Sequence, residues 1–143
     1  MFGMLSTHSI ILQIPSHVKA GMKRMVDETA HCEGGLLLNI CLSYGSRGEI
    51  VHACRELAND VKKGALSVHQ ITEDAIQQRL LSPVDPDVII RTSGEHRISN
   101  FLLWQLAYSE LFFLKKTWPE MQKHDLVEVI QAFAGGRDRR FGK

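Results

Sequence analysis

From Arg91 to Asn100 the chain reads Arg-Thr-Ser-Gly-Glu-His-Arg-Ile-Ser-Asn, which places two guanidinium groups, an imidazole and a carboxylate within seven residues, with the Ser99 hydroxyl close behind. A guanidinium is a planar fork of donors that pairs with phosphate oxygens at two points, so Arg91, Arg97 and Ser99 suit an anion of the phosphate or diphosphate class. If Ser99 opens a helix, free backbone N–H groups and the positive end of the helix dipole add to that site. The competing arrangement is a pair of surface arginines bridged by Glu95, with Ser99 as a simple N-cap and His96 as a polar loop residue. Glu110 stands between two apolar stretches, where a carboxylate is costly unless a cation meets it, either an Arg or a divalent metal. Oxygen ligation beside a diphosphate would select Mg2+, which takes one or two carboxylates together with phosphate oxygens.

These residues need a frame, and the hydrophobic pattern supplies one. Ser16 to Thr29, behind Pro15, carries Val18, Met22, Met25 and Val26 at helical spacing. Residues 36–42 form a short, nearly all-apolar run that reads as a strand covered on both faces; Leu36, Leu38 and Ile40 on one face either pack in a core or line a greasy tunnel. Ser46-Arg47-Gly48-Glu49 has the form of a capping box. Beyond it Ile50, Cys54, Leu57 and Val61 step along one helical face until Gly64. A weaker helix over 72–80 leads into a second strand at 87–90 that ends at Arg91.

Residues 99–108 read as a buried helix in which Phe101, Trp104 and Tyr108 pack in the core rather than form a base-stacking platform, and 111–114 as a third strand. Asp125-Leu126-Val127-Glu128 resembles another capping box, with Leu126, Ile130 and Phe133 lining a last helix. The expected fold class is α/β, a layered and mostly parallel sheet flanked by helices. In such sheets ligands sit beyond the carboxyl ends of strands, which is where residues 91–100 fall.

The chain has 143 residues, and its 17 Lys+Arg against 16 Asp+Glu leave a net charge of +1. That balance argues against a nucleic-acid binder and makes any anion site local. Three cysteines, Cys32, Cys41 and Cys54, fit no zinc or redox spacing and read as plain thiols of a reducing compartment. No apolar run approaches the roughly 18 residues of a membrane span.

Residues 87–111 taken together, Asp-Val-Ile-Ile-Arg-Thr-Ser-Gly-Glu-His-Arg-Ile-Ser-Asn-Phe-Leu-Leu-Trp-Gln-Leu-Ala-Tyr-Ser-Glu-Leu, resemble the signature of the cis-prenyltransferases, the family of undecaprenyl and dehydrodolichyl diphosphate synthases. Residues 38–50 resemble the family's Leu-Asn-x-x-x-x-Tyr-Gly-Gly-Arg-x-Glu-Ile segment, with Ser46 in place of the second Gly. Trp118-Pro119-Glu120 and Arg139-Arg140-Phe141-Gly142 are also family-like. The resemblance runs from Pro15 to the C-terminus.

It implies a Mg2+-dependent transferase that condenses isopentenyl diphosphate onto an allylic diphosphate, such as farnesyl diphosphate, to give a cis-polyprenyl diphosphate. Arg91, Arg97 and Ser99 match positions that hold the diphosphate of isopentenyl diphosphate, and Glu110 and His96 match positions associated with the metal. Arg140 and Gly142 match a C-terminal Arg-x-Gly that reaches a partner's diphosphate site across a homodimer or heterodimer. The family's Gly-rich loop with its catalytic aspartate has no counterpart, so no catalytic residue is identified.

Accordingly, residues 1–14 read as a divergent or poorly ordered start, and 15–143 as the C-terminal part of one domain lacking its N-terminal strands. Such a chain is expected to expose a sheet edge and an apolar face and to be inactive alone. The alternative reading is a non-catalytic dimerisation or regulatory partner, or an inactive fragment. The expected location is the cytoplasm or the cytoplasmic face of a membrane, with membrane contact through the lipid product.

Overall fold

Val18, Met22 and Val26 recur at helical spacing, and helix α1 (Ser16–Thr29) forms there with those three side chains half-buried. Its first turn closes on the Pro15 carbonyl, which accepts from the Val18 and Lys19 N–H groups. The computed structural model describes residues 2–5, 15–32 and 35–135. The chain divides between Pro83 and Val84 into two compact units, both α/β with parallel strand pairing.

In the first unit, strand β1 (Phe2–Leu5) pairs in parallel with β2 (Leu38–Cys41), Phe2 opposite Leu38 and Leu5 opposite Cys41. The sequence reading assigns no strand to residues 1–14, and here it is corrected. Four residues interrupted by Gly3 carry no usable period, so it is the pairing with β2 that makes them a strand. Strand β2 is shorter than 36–42 and is not covered on both faces. Leu36 is 83% exposed, and Leu37 and Leu38 are also exposed.

Helix α2 (Ser46–Lys62) starts one residue earlier than a Ser46 cap would allow. Extended Gly45 is the N-cap, and its carbonyl accepts from the Gly48 and Glu49 N–H groups. Ser46 and Glu49 are instead buried, and the buried face turns to Glu49, Ala53 and Leu57, leaving Cys54 exposed. Gly64, at φ +72°, ends the helix in a conformation glycine adopts without a Cβ penalty. Helix α3 (Glu73–Gln77) is shorter than 72–80; Thr72 Oγ1 caps it by accepting the Ala75 N–H at 3.2 Å. Arg79 Nη2 donates to Asp60 Oδ2 at 2.7 Å, which ties the end of this segment to α2. The three cysteines are free thiols.

In the second unit β3 (Val88–Arg91) pairs in parallel with β4 (Glu110–Phe113), Val88 opposite Glu110 and Arg91 opposite Phe113. The expected helix over 99–108 does not form. Ser99, Asn100 and Leu102 have φ of 49°, 62° and 47°, and left-handed residues cannot continue a right-handed helix. The connection is a run of turns in which Gln105 is fully buried and Tyr108 is 71% exposed, so Tyr108 is not the core residue that spacing suggested.

Helix α4 (Lys123–Ala134) is capped by Gln122, and Asp125 closes that box from within the first turn instead of opening one of its own. Asp125 and Val129 are therefore the buried positions, while Leu126 and Ile130 are exposed, Ile130 at 63%. Among the described residues no helix is long and apolar enough to cross a membrane.

Two carboxylates of this unit set its response to acid. The Lys116 ammonium and the Gln122 N–H hold Asp125 below the ordinary carboxylate range, and the Thr117 N–H and hydroxyl do the same for Glu120. A carboxylate held down in the folded chain stabilises it above the unfolded pKa and loses that contribution as pH falls through the folded one. Melting temperature is therefore expected to be flat near neutrality and to fall below about pH 4. In the Glu120→Gln, Asp125→Asn double variant this acid limb should be shallower; an unchanged limb would assign it to other groups.

Candidate anion site

Arg91 is the last residue of β3, and backbone pairing fixes its position. The Leu114 N–H donates to the Arg91 carbonyl at 2.8 Å. The chain then turns back through Ser93 and Gly94, at φ of 71° and 67°, a left-handed pair in which only the glycine is without steric cost. The turn is stapled to the end of β4: the Gly94 N–H donates to the Leu114 carbonyl at 2.8 Å and the Ser93 N–H to the Lys116 carbonyl at 2.7 Å. The residues that follow are thus projected from the carboxyl ends of two paired strands, where an open α/β sheet places its ligands.

The Arg91 guanidinium reaches the Ser99 hydroxyl, Nη2 to Oγ 3.4 Å, while its Nε is buried with no hydrogen-bond partner. A buried N–H left unpaired costs about 1–3 kcal/mol, so this guanidinium is held in a state that an anion would relieve. Arg97 and Glu95 form an exposed ion pair. The bridged-arginine arrangement is thereby realised on one side only, with Glu95 on Arg97 and Arg91 turned to Ser99. Exposed His96 lays its ring against Phe113, centroids 5.0 Å apart.

Ser99 does not open a helix, so the expected contribution of a helix N-terminus is absent and the anion-binding capacity rests on side chains. Against the same strands lies a cavity of about 370 Å³ whose wall includes Arg91, Ile98, Phe101, Leu106 and Phe113. A charged group at the edge of an apolar chamber fits a ligand with an anionic head and a short hydrocarbon tail.

Glu110 sits elsewhere. The register puts it opposite Val88 at the amino end of β4, and its N–H donates to the Asp87 carbonyl at 2.9 Å. His96 packs at the other end, on Phe113, about 10 Å of strand away at roughly 3.3 Å per residue. Among the described residues no group of three or more His, Cys, Asp or Glu side chains could hold a metal ion. Glu110 and His96 thus sit toward opposite ends of β4 and are not brought together as one metal site among the described residues. Arg140 and Gly142 lie outside the described residues. The backbone acceptors on Leu114 and Lys116 were not legible in the sequence, because carbonyl groups carry no residue-type signal.

The family model for undecaprenyl diphosphate synthases, Prenyltransf, matches residues 5–142. The chain is 46% identical over 131 residues to an isoprenyl transferase of Geobacillus kaustophilus, covering 90% of this chain and 50% of that protein. It is 43% identical over 135 residues to one from Enterococcus faecalis, covering 90% and 49%. The chain thus spans about half the length of the curated relatives it matches. Among solved structures it is similar to lavandulyl diphosphate synthase from Lavandula x intermedia in complex with dimethylallyl diphosphate, with TM-score 0.90 and 30% identity, covering 100% of this chain and 60% of that one. A probable undecaprenyl diphosphate synthase from Campylobacter jejuni follows at TM-score 0.80 and 30% identity, covering 99% and 64%.

Proposed function

This chain belongs to the family of undecaprenyl diphosphate synthases, and from that premise we propose that it carries the isopentenyl diphosphate site of a prenyl-elongating transferase. The reaction joins isopentenyl diphosphate to an allylic diphosphate, farnesyl diphosphate or similar, giving a cis-polyprenyl diphosphate. The carbon–oxygen bond of the allylic diphosphate breaks, the terminal alkene carbon of isopentenyl diphosphate bonds to the allylic carbon, and a proton leaves the isopentenyl unit. Diphosphate is released. The observation that carries the reading is the buried, unpartnered Nε of Arg91 beside an apolar chamber.

In this reading Arg91 grips the diphosphate with its planar fork, Ser99 donates from one side, and Arg97 leaves Glu95 to close from the exposed side. The five-carbon tail lies against Ile98, Phe101 and Phe113. Burying one face of the anion strengthens each of these hydrogen bonds, because the local dielectric falls. The allylic partner is supported by the dimethylallyl diphosphate held in the lavandulyl diphosphate synthase structure. Charge neutralisation of the departing diphosphate has to come from residues other than Arg91 and Arg97, whose fork is already filled. A homodimer or heterodimer reached through Arg140 and Gly142 belongs to the same proposal.

The test is a calorimetric titration of the chain with isopentenyl diphosphate, inorganic diphosphate and isopentenol. Saturable binding of isopentenyl diphosphate with a Kd of order 10–100 µM is expected, corresponding to roughly −5.5 to −7 kcal/mol. Inorganic diphosphate should compete and isopentenol should give no heat. Silence with both diphosphates would overturn the assignment.

A further inference from the structure

Lys116 is joined to the anion loop and to helix α4 at the same time. Its carbonyl accepts the Ser93 N–H at 2.7 Å, and its Nζ donates to Asp125 Oδ1 at 2.6 Å. Asp125 is buried in the first turn of α4, where its other oxygen, Oδ2, accepts the Gln122 N–H at 2.8 Å. The His124 Nε2 lies 3.4 Å from both Lys116 Nζ and Asp125 Oδ1.

The links from Ser93 through Lys116 and Asp125 to Gln122 are all short, and the residues between Lys116 and Asp125 are themselves held by the Thr117–Glu120 box. Thr117 Oγ1 and N–H each meet Glu120 Oε2 at 2.7 Å. The Ser93 end of the series matters because Ser93 is a non-glycine residue at φ 71°, a conformation it keeps only while the surroundings enforce it.

We propose that Lys116 and Asp125 form a clamp that positions the anion loop, fixing residues 91–94 through the Lys116 carbonyl so that Arg91 stays aimed at its ligand. Lys116 and Asp125 touch no ligand in this scheme; they are positioning residues. As a regulator of the same site the clamp rests on the isopentenyl diphosphate reading, but its mechanical part does not.

Lys116→Met keeps the length of the side chain and removes the ammonium. Its Kd for isopentenyl diphosphate is expected to rise about three- to ten-fold. Lys116→Arg, which again donates to Asp125, should return to within about two-fold of the parent chain. Hydrogen exchange supplies the readout that general loosening would not produce. In Lys116→Met the Ser93 and Gly94 amides should exchange about ten-fold faster, while the Leu106 amide, bonded to the Leu102 carbonyl, keeps its rate. Unchanged exchange at Ser93 and Gly94, or equal acceleration at Leu106, overturns the clamp. A parent chain that binds no isopentenyl diphosphate, with the Ser93 and Gly94 amides still loosened selectively by Lys116→Met, would overturn the substrate reading and support the clamp.

Discussion

Arg91→Ala is expected to weaken isopentenyl diphosphate binding about a hundred-fold, since a charge-assisted, two-point hydrogen bond carries roughly 1.5–3 kcal/mol. Melting temperature should hold or rise, because the substitution removes a buried Nε with no hydrogen-bond partner and leaves the backbone pairing of β3 with β4 intact. The two readouts moving in opposite senses distinguish a binding residue from a structural one. Arg91→Lys keeps the charge and loses the fork, so about ten-fold of affinity should be lost. Arg97→Ala should cost less than Arg91→Ala, for Arg97 is exposed and must give up Glu95 before it meets a ligand. Titration calorimetry and thermal melting of the three variants check the ranking. Binding by Arg91→Ala at parental affinity would remove this guanidinium from the site.

The ranking rests on geometry that residue types alone could not supply. That Arg91 ends a strand was legible, because the apolar run before it is short, β-branched and followed by polar residues. That Ser99 would not start a helix was not. The apolar stretch after it has the composition of a buried helix, and only the left-handed backbone at Ser99, Asn100 and Leu102 turns it into a connector. The burial of Gln105 follows from the same turns and runs against its polarity.

Capping shows a second kind of limit. Ser46-x-x-Glu49 and Asp125-x-x-Glu128 both have the right letters, yet in each case the helix begins earlier and its acidic residue is used otherwise. At α4 the N-cap is three residues upstream, Gln122, whose backbone N–H donates to Asp125 Oδ2. Strand β1 was invisible for a plainer reason. Parallel pairing is a property of two segments, and its second partner, residues 38–41, lies beyond an entire helix. The separation of Glu110 from His96 is a matter of register. Glu110 begins β4 and His96 follows β3, and the alignment of Val88 with Glu110 and Arg91 with Phe113 puts them toward opposite ends of the paired strands.

Glu49→Ala should be among the most damaging substitutions in the first unit, because this carboxylate is almost completely buried and both its oxygens are engaged. Oε1 accepts the Leu81 N–H at 2.7 Å, across thirty-two positions of sequence, and Oε2 accepts the Tyr44 hydroxyl. The hydrogen bond fastens the segment after α3 to the start of α2, so its loss opens the unit at a long-range polar contact. Burial, and then the Glu49 hydrogen bond, push the Tyr44 phenol above its ordinary range, and burial with the nearby carboxylate raises the Cys41 thiol.

Truncation to Ala leaves the Leu81 amide and the Tyr44 hydroxyl without their acceptor and opens a void beside fully buried Ser46, a loss of about 3 kcal/mol. Glu49→Gln keeps an acceptor for Leu81 and lets the Tyr44 hydroxyl accept from the new amide, so about 1 kcal/mol is expected. Tyr44→Phe should cost a similar amount, and the Glu49→Gln, Tyr44→Phe pair should be non-additive because both substitutions act on the same Tyr44–Glu49 hydrogen bond. Urea unfolding of the four variants measures this directly. The thiol gives a second readout: with the negative charge gone in Glu49→Gln, Cys41 should be alkylated faster at a fixed mildly alkaline pH, since the thiolate is the reacting form. Parental stability in Glu49→Ala, or Cys41 reactivity indifferent to residue 49, would mean that the buried carboxylate does not hold this end of the unit together.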